Sequence, residues 1–168
     1  MMPARTLPTR RLDWPLCSFA LATILIALPV LAGEVDVGAR AMEHGDFATV
    51  YNEFRPLAER GNAAAQFNLG VMYTNGQGVQ QDHAEAVRWF LMAAMQGYVN
   101  AQRNLGAMYT MGRGVRQDYV QGYFWSELSA AQGDRESALL RDTLVREMTN
   151  GQIVEAKKLV REWKPSNK

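Results

Sequence analysis

The sequence predicts an all-α fold, an α-solenoid of antiparallel helix hairpins, and three observations carry that prediction. Landmark residues recur at one spacing of about 36 residues: Gly61, Gly97 and Gly133; Asp46, Asp82 and Asp118; Ala58, Ala94 and Ala130. That period lies in the range of helical repeat arrays. Within each period, apolar residues fall at helical spacing. Between the two helical stretches of a period stands a Gly-x-Gly break, followed by an Asp placed to cap the next helix.

The first 32 residues read as an address. Arg5, Arg10 and Arg11 give a positive start, Leu16 to Leu28 is mostly apolar, and Pro29, Val30, Leu31 and Ala32 follow. A charged start, an apolar run of roughly 7–15 residues and small residues before a break make a secretory signal. Cleavage is expected after Ala32, which removes three Arg, one Asp and the sole cysteine, Cys17. The apolar run is shorter than the ~20 residues that span a bilayer, so the mature chain is expected to carry no span. The competing reading is a retained N-terminal anchor. Arg10-Arg11 suits twin-arginine export poorly, because Asp13 and Trp14 stand where that signal wants apolar residues. A lipid-attachment site at Cys17 is disfavoured by the bulky Trp14-Pro15-Leu16 before it. A periplasmic or secreted location is therefore expected.

Residues 33–60 keep only the second helix of a repeat. Phe54 is in register with Phe90, but Glu53 stands where Trp89 does. Residues 61–96 and 97–132 are two nearly complete copies, identical at about 17 of 36 positions, far beyond what shared composition gives. In the first copy, Ala65, Leu69, Met72 and Tyr73 form one helical face. Gly70 sits beside that face; a mid-helix Gly costs about 1 kcal/mol against Ala, so it needs a packing reason, namely the close approach of a second helix. Gly76 and Gly78 end the helix, and Val79 is placed to tuck the loop onto the core. Asp82 and Glu85, like Asp118 and Gln121, have the spacing of a capping box. Ala86, Trp89, Phe90, Ala93 and Ala94 supply the second face, whose small residues permit a tight pair. Residues 133–168 form a cap: Ser137 keeps the register, but Arg141 and Asp142 stand in place of Leu-Gly and no Gly-x-Gly follows. A last helix is expected from Thr149, with Gln152 completing a capping box and Ile153, Ala156, Leu159, Val160 and Trp163 on its apolar face.

These residues resemble the Sel1-like repeat. The carriers are Ala65, Leu69-Gly70, Tyr73, Gly76-Gln77-Gly78-Val79, Asp82, Ala86, Trp89, Ala93-Ala94 and Gly97. The second copy departs with Gly122 and Ser129 in place of two small Ala residues. The resemblance covers Gly61 to Gly133 and is partial on either side. It implies a right-handed superhelix related to tetratricopeptide repeats, working as a protein-binding adaptor whose first helices line the concave side.

Little points to catalysis. With 18 Lys and Arg against 17 Asp and Glu, the net charge is +1, too balanced to suggest a nucleic-acid partner. The two histidines, His44 and His83, lack metal-ligand spacing and the mature chain has no cysteine, so no metal or cofactor is expected. Gly76-x-Gly78 follows a helix rather than a strand, which does not suit a phosphate loop. No Gly-x-Ser-x-Gly elbow occurs. Trp89, Trp125, Tyr73 and Tyr109 hold helical register and are expected in the core rather than in a sugar-stacking row. The expected function is non-catalytic binding of a protein or peptide, by a chain expected to be monomeric because its altered ends oppose runaway stacking. The candidate contacts are first-helix positions off the core stripe: Phe67, Asn68 and Val71, with their counterparts Arg103, Asn104 and Ala107. The resemblance leaves two alternatives. One is an envelope scaffold in polysaccharide export or assembly. The other is a hydrolase of the β-lactamase-associated kind, disfavoured because the cysteine pairs of those proteins are missing.

Overall fold

The computed structural model describes residues 46–166, all within the compact unit Val37–Lys168. The signal segment, the Cys17 reading and His44 lie outside the described residues. Those residues form seven helices in order: α1 Phe47–Glu59, α2 Ala63–Asn75, α3 His83–Met95, α4 Val99–Met111, α5 Tyr119–Ala130, α6 Arg135–Glu147 and α7 Asn150–Glu162. They are the stacked hairpins of an all-α solenoid. Pairs α2/α3 and α4/α5 are the two full repeats, α1 is the second helix of the partial unit before them, and α6 packs on α5 as the first helix of a third.

Most of the helices start on a side-chain cap; α4, which follows Tyr98, has none. Asp46, Asn62, Asp82, Asp118 and Asp134 each accept a backbone N–H in the following first turn, satisfying donors that a helix start leaves orphaned. Gly76 and Gly112 end α2 and α4 in the left-handed region. The capping box expected at Thr149 is present, with Thr149 N–H donating to Gln152 Oε1 at 2.9 Å. The two expected at Asp82 and Asp118 are half-formed, which corrects that reading. Asp82 N–H donates to the Tyr73 carbonyl at 2.9 Å and Asp118 N–H to that of Tyr109 at 3.0 Å. The donor a capping box would use is already committed to the preceding helix, and Glu85 instead accepts from Arg88 at 3.0 Å.

The expected core is buried. Ala65, Leu69, Met72, Ala86, Phe90, Ala93, Ala94, Ala101, Leu105, Met108 and Trp125 are all shielded from solvent. Leu69 and Leu105, both fully buried, each contribute roughly 1.5–3 kcal/mol. Trp89, Tyr73 and Tyr109 are half-buried and pack against core clusters, and Val79 and Val115 do hold their loops to the core. α5 is buried nearly all round, through Val120, Tyr123, Phe124, Trp125, Ser126 and Leu128, because α4, α6 and α7 all pack on it.

A buried amide ladder ties one repeat to the next. Gln66 Nε2 donates to the Ala58 carbonyl at 3.0 Å and Gln66 Oε1 accepts from Gln96 at 2.7 Å. Gln102 and Gln132 repeat both bonds, at 3.2 Å to the Ala94 carbonyl and at 2.8 Å. Pairing of this kind is the rule for buried polar side chains.

The Gly-x-Gly loops set the spacing between repeats. Gly114, at φ +73°, lies directly against the His83 carbonyl at the start of α3. A Cβ there would meet that carbonyl and come 2.8 Å from Ala84 N. Gly97, at φ +86°, has nothing within 4 Å of its would-be Cβ. Gly97→Ala should therefore cost only the left-handed backbone penalty, about 1–2 kcal/mol. Gly114→Ala should add repacking, for about 2–5 kcal/mol in total. Urea denaturation of the two variants checks the difference; equal losses would contradict the loop contact.

Candidate functional site

The face carrying the first helices of the two repeats holds an open groove of about 280 Å³. Val71, Thr74 and Asn75 of α2 form one wall; Asn104, Ala107, Met108 and Met111 of α4 form the other. Phe90 of α3 is the floor, and Arg113 of the following loop stands at one end. The groove lies where α3 packs on both α2 and α4. Thr74 turns its hydroxyl inward to the Gly70 carbonyl at 2.8 Å, so the lining is largely apolar. Among the described residues the Asn104 side chain makes no hydrogen bond, and it is half-buried at the rim.

The six candidate contacts from sequence separate into two groups. Val71, Asn104 and Ala107 line the groove. Asn68 is half-buried on the same helix face, beside it in sequence register with Asn104. Phe67, off the core stripe of its own helix, is also part of the stack. Its ring lies 5.7 Å from that of Phe90 and 5.2 Å from that of Tyr98, a distance range at which aromatic pairs attract. Arg103 likewise has a structural task. It donates to Asp134 at 2.8 Å, lies 3.5 Å from Glu136, and donates to Asn100 at 3.2 Å, binding α4 to the start of α6. The sequence reading passed over Thr74, Asn75, Met111 and Arg113. The signal that finds the last two is that both differ from their counterparts in the other repeat, Asn75 and Gln77.

A larger recess of about 590 Å³ lies where the α4–α5 loop meets α7, lined by Tyr109, Val115, Arg116, Gln117, Asp118, Tyr119 and Gln152. The equivalent place in the first repeat is also recessed, around Tyr73, Val79, Gln80, Gln81 and Asp82. Its residues are occupied with holding the loop: Gln117 and Gln81 donate to the carbonyls of Thr110 and Thr74 at 2.8 and 2.7 Å, and the two Asp residues are caps. Tyr73 hydrogen-bonds Tyr51, which pushes its phenol up to about 12. The recess is therefore a product of repeat geometry, and the groove is the better site.

Among the described residues no three His, Cys, Asp or Glu side chains come together to hold a metal ion, and no helix is long and apolar enough to cross a membrane. Burial by itself would raise the Asp134 carboxyl, but the Ser137 N–H and the Arg103 guanidinium overcome it and hold the carboxyl below its ordinary value.

The Sel1 repeat model matches residues 63–98 and 99–134, keeping the period read from sequence with its start two residues later. One similar solved structure is a protective antigen present in uropathogenic Escherichia coli strains, displaying an SLR fold. It is 30% identical with a TM-score of 0.73, over 79% of this chain and 29% of that one. A Sel1 repeat protein from Oxalobacter formigenes is 24% identical with a TM-score of 0.62, over 76% of this chain and 54% of that one; it supports the fold alone. This chain thus spans 29% of the length of the first structure and 54% of the second. Comparison with curated proteins finds no match.

Asp134→Ala should lower stability at pH 7 by about 1–2 kcal/mol through the lost cap, with the Arg103 partner lost besides. A carboxyl whose pKa is lowered on folding stabilises above its ordinary value and loses that contribution as pH falls through the folded one. The gap from the parent protein should be full at pH 7 and narrow below 3.8, the ordinary value. Denaturation midpoints at neutral pH and near pH 3 check this; a gap that widens in acid would contradict it.

Proposed function

On the premise that the chain carries two Sel1 repeats in tandem, we propose that it is an exported, non-catalytic adaptor that binds a protein or peptide in the groove between α2 and α4. Sel1 repeats are protein-interaction modules. The supporting observation is the groove itself: an apolar floor and walls, with the unpaired amide of Asn104 at the rim. A site of this kind offers burial for an apolar side chain and a donor and acceptor for the main chain beside it. Export rests on the N-terminal pattern of Arg5, Arg10, Arg11 and the apolar run to Leu28.

Two tests follow. Expressed with a C-terminal affinity tag in its own cells, the recovered protein should begin at Gly33 when its N-terminus is sequenced. A start at Met1 would favour the retained anchor. Crosslinking the cell envelope and recovering the tagged chain should enrich one dominant protein. Ala107→Phe, which fills the groove, should lose it while the circular dichroism melt stays within a few degrees. A partner retained by Ala107→Phe would place binding elsewhere, and turnover of nitrocefin by the purified chain would return the hydrolase reading.

A further inference from the structure

The groove's residues also specify the chemistry of what fits it, an inference that rests on the adaptor reading above. The two repeats fold alike, so positions where they differ are not dictated by the hairpin. Four such differences fall on this groove. Val71 corresponds to Ala107, Phe90 to Ser126, Asn75 to Met111 and Gln77 to Arg113. In the first repeat, Asn75 Nδ2 donates to Gln77 Oε1 at 3.2 Å, a polar pair that satisfies itself. In the second, the same two positions hold an exposed Met111, 56% accessible, and a cation.

Arg113 is the one charged side chain that lines the groove. Among the described residues it makes no ion pair; its polar neighbour is His83 Nε2 at 3.4 Å, a group that does not neutralise it. By contrast Arg103, on the same helix-and-loop unit, is matched by Asp134 and Glu136. At about 280 Å³ the groove lies just below the usual range for small-molecule sites, roughly 300–1,000 Å³. That size suits one side chain of a larger partner. Met108 and Met111 give its wall an adaptable, polarisable surface.

We propose that the occupant is a peptide segment with a large apolar side chain and a carboxylate close behind it. The apolar side chain rests on Phe90 between Val71 and Met111. The neighbouring main chain bonds the Asn104 amide. The carboxylate pairs with Arg113, whose planar fork suits two-point recognition of such a group.

The probe is a library of random short peptides displayed on phage and selected against the whole protein. Selected sequences should be enriched for an aliphatic or aromatic residue followed closely by Asp or Glu. Changing that acid to its amide in a synthetic winner should weaken binding about ten-fold, and should matter little to Arg113→Gln. Selection against Arg113→Glu should replace the acidic preference with Lys or Arg. Arg113 is exposed and aligns with Gln77, so these variants should fold. Winners without acidic enrichment, or with acids that Arg113→Gln leaves fully effective, overturn the proposal, as does a selection that yields no winner. Ala107→Phe separates the two readings. Winners lost on that variant but indifferent to Arg113 leave the groove standing and remove the acidic partner; winners that Ala107→Phe still binds remove the groove itself.

Discussion

The close approach of α2 and α3 at Gly70 is the contact on which the candidate site depends. A Cβ at Gly70 would lie 2.5 Å from Phe90 Cε1, so the ring rests directly on the helix backbone. That position makes Phe90 the floor of the groove and lets Phe67 and, beyond it, Tyr98 stack in turn. In the second repeat the same close approach exists at Gly106, but it faces Ser126. The helices meet there without an aromatic ring between them. One small residue with two different neighbours thus gives two equivalent hairpins different surfaces, and the difference lies where a partner would bind.

The rest of the scaffold keeps that contact in place. The amide ladder through Gln66 and Gln102 fixes each first helix to the end of the helix before it. The Gly-x-Gly loops bear on the start of the previous second helix, so neither end of a hairpin is left to slide. The far end is closed differently. Instead of lying along α6, α7 folds back over α5, Trp163 packs against the central core cluster, and Ser166 donates to the Met95 carbonyl at 2.8 Å. This turns the chain end into a brace across two repeats. It also explains why α5 is buried on almost every side while α6 keeps an exposed Leu139.

Sequence carried most of the fold and part of the site. Period, helix faces and caps were legible because each is a local property: helical spacing, a glycine that stops a helix, an aspartate that starts one. The reciprocal half of the capping boxes at Asp82 and Asp118 was not, because it turned on where one backbone N–H goes in three dimensions. Phe67 and Arg103 have structural partners that were not legible, for the same reason. Off the core stripe of their own helix, they look free, yet their partners Tyr98 and Asp134 come from the next repeat, 31 residues on in each case. Met111 and Arg113 escaped notice because repeat identities draw attention to what the scaffold needs, whereas a binding surface is written in what the repeats do not share.

The most direct measurement is site-specific photocrosslinking in living cells. A photoreactive amino acid in place of Met111, on the groove, is compared with one in place of Met92, an exposed methionine of α3 that does not line it. Binding in the groove predicts a discrete higher-mass adduct from Met111 and none from Met92. An adduct from Met92 alone, or from neither position, would contradict it.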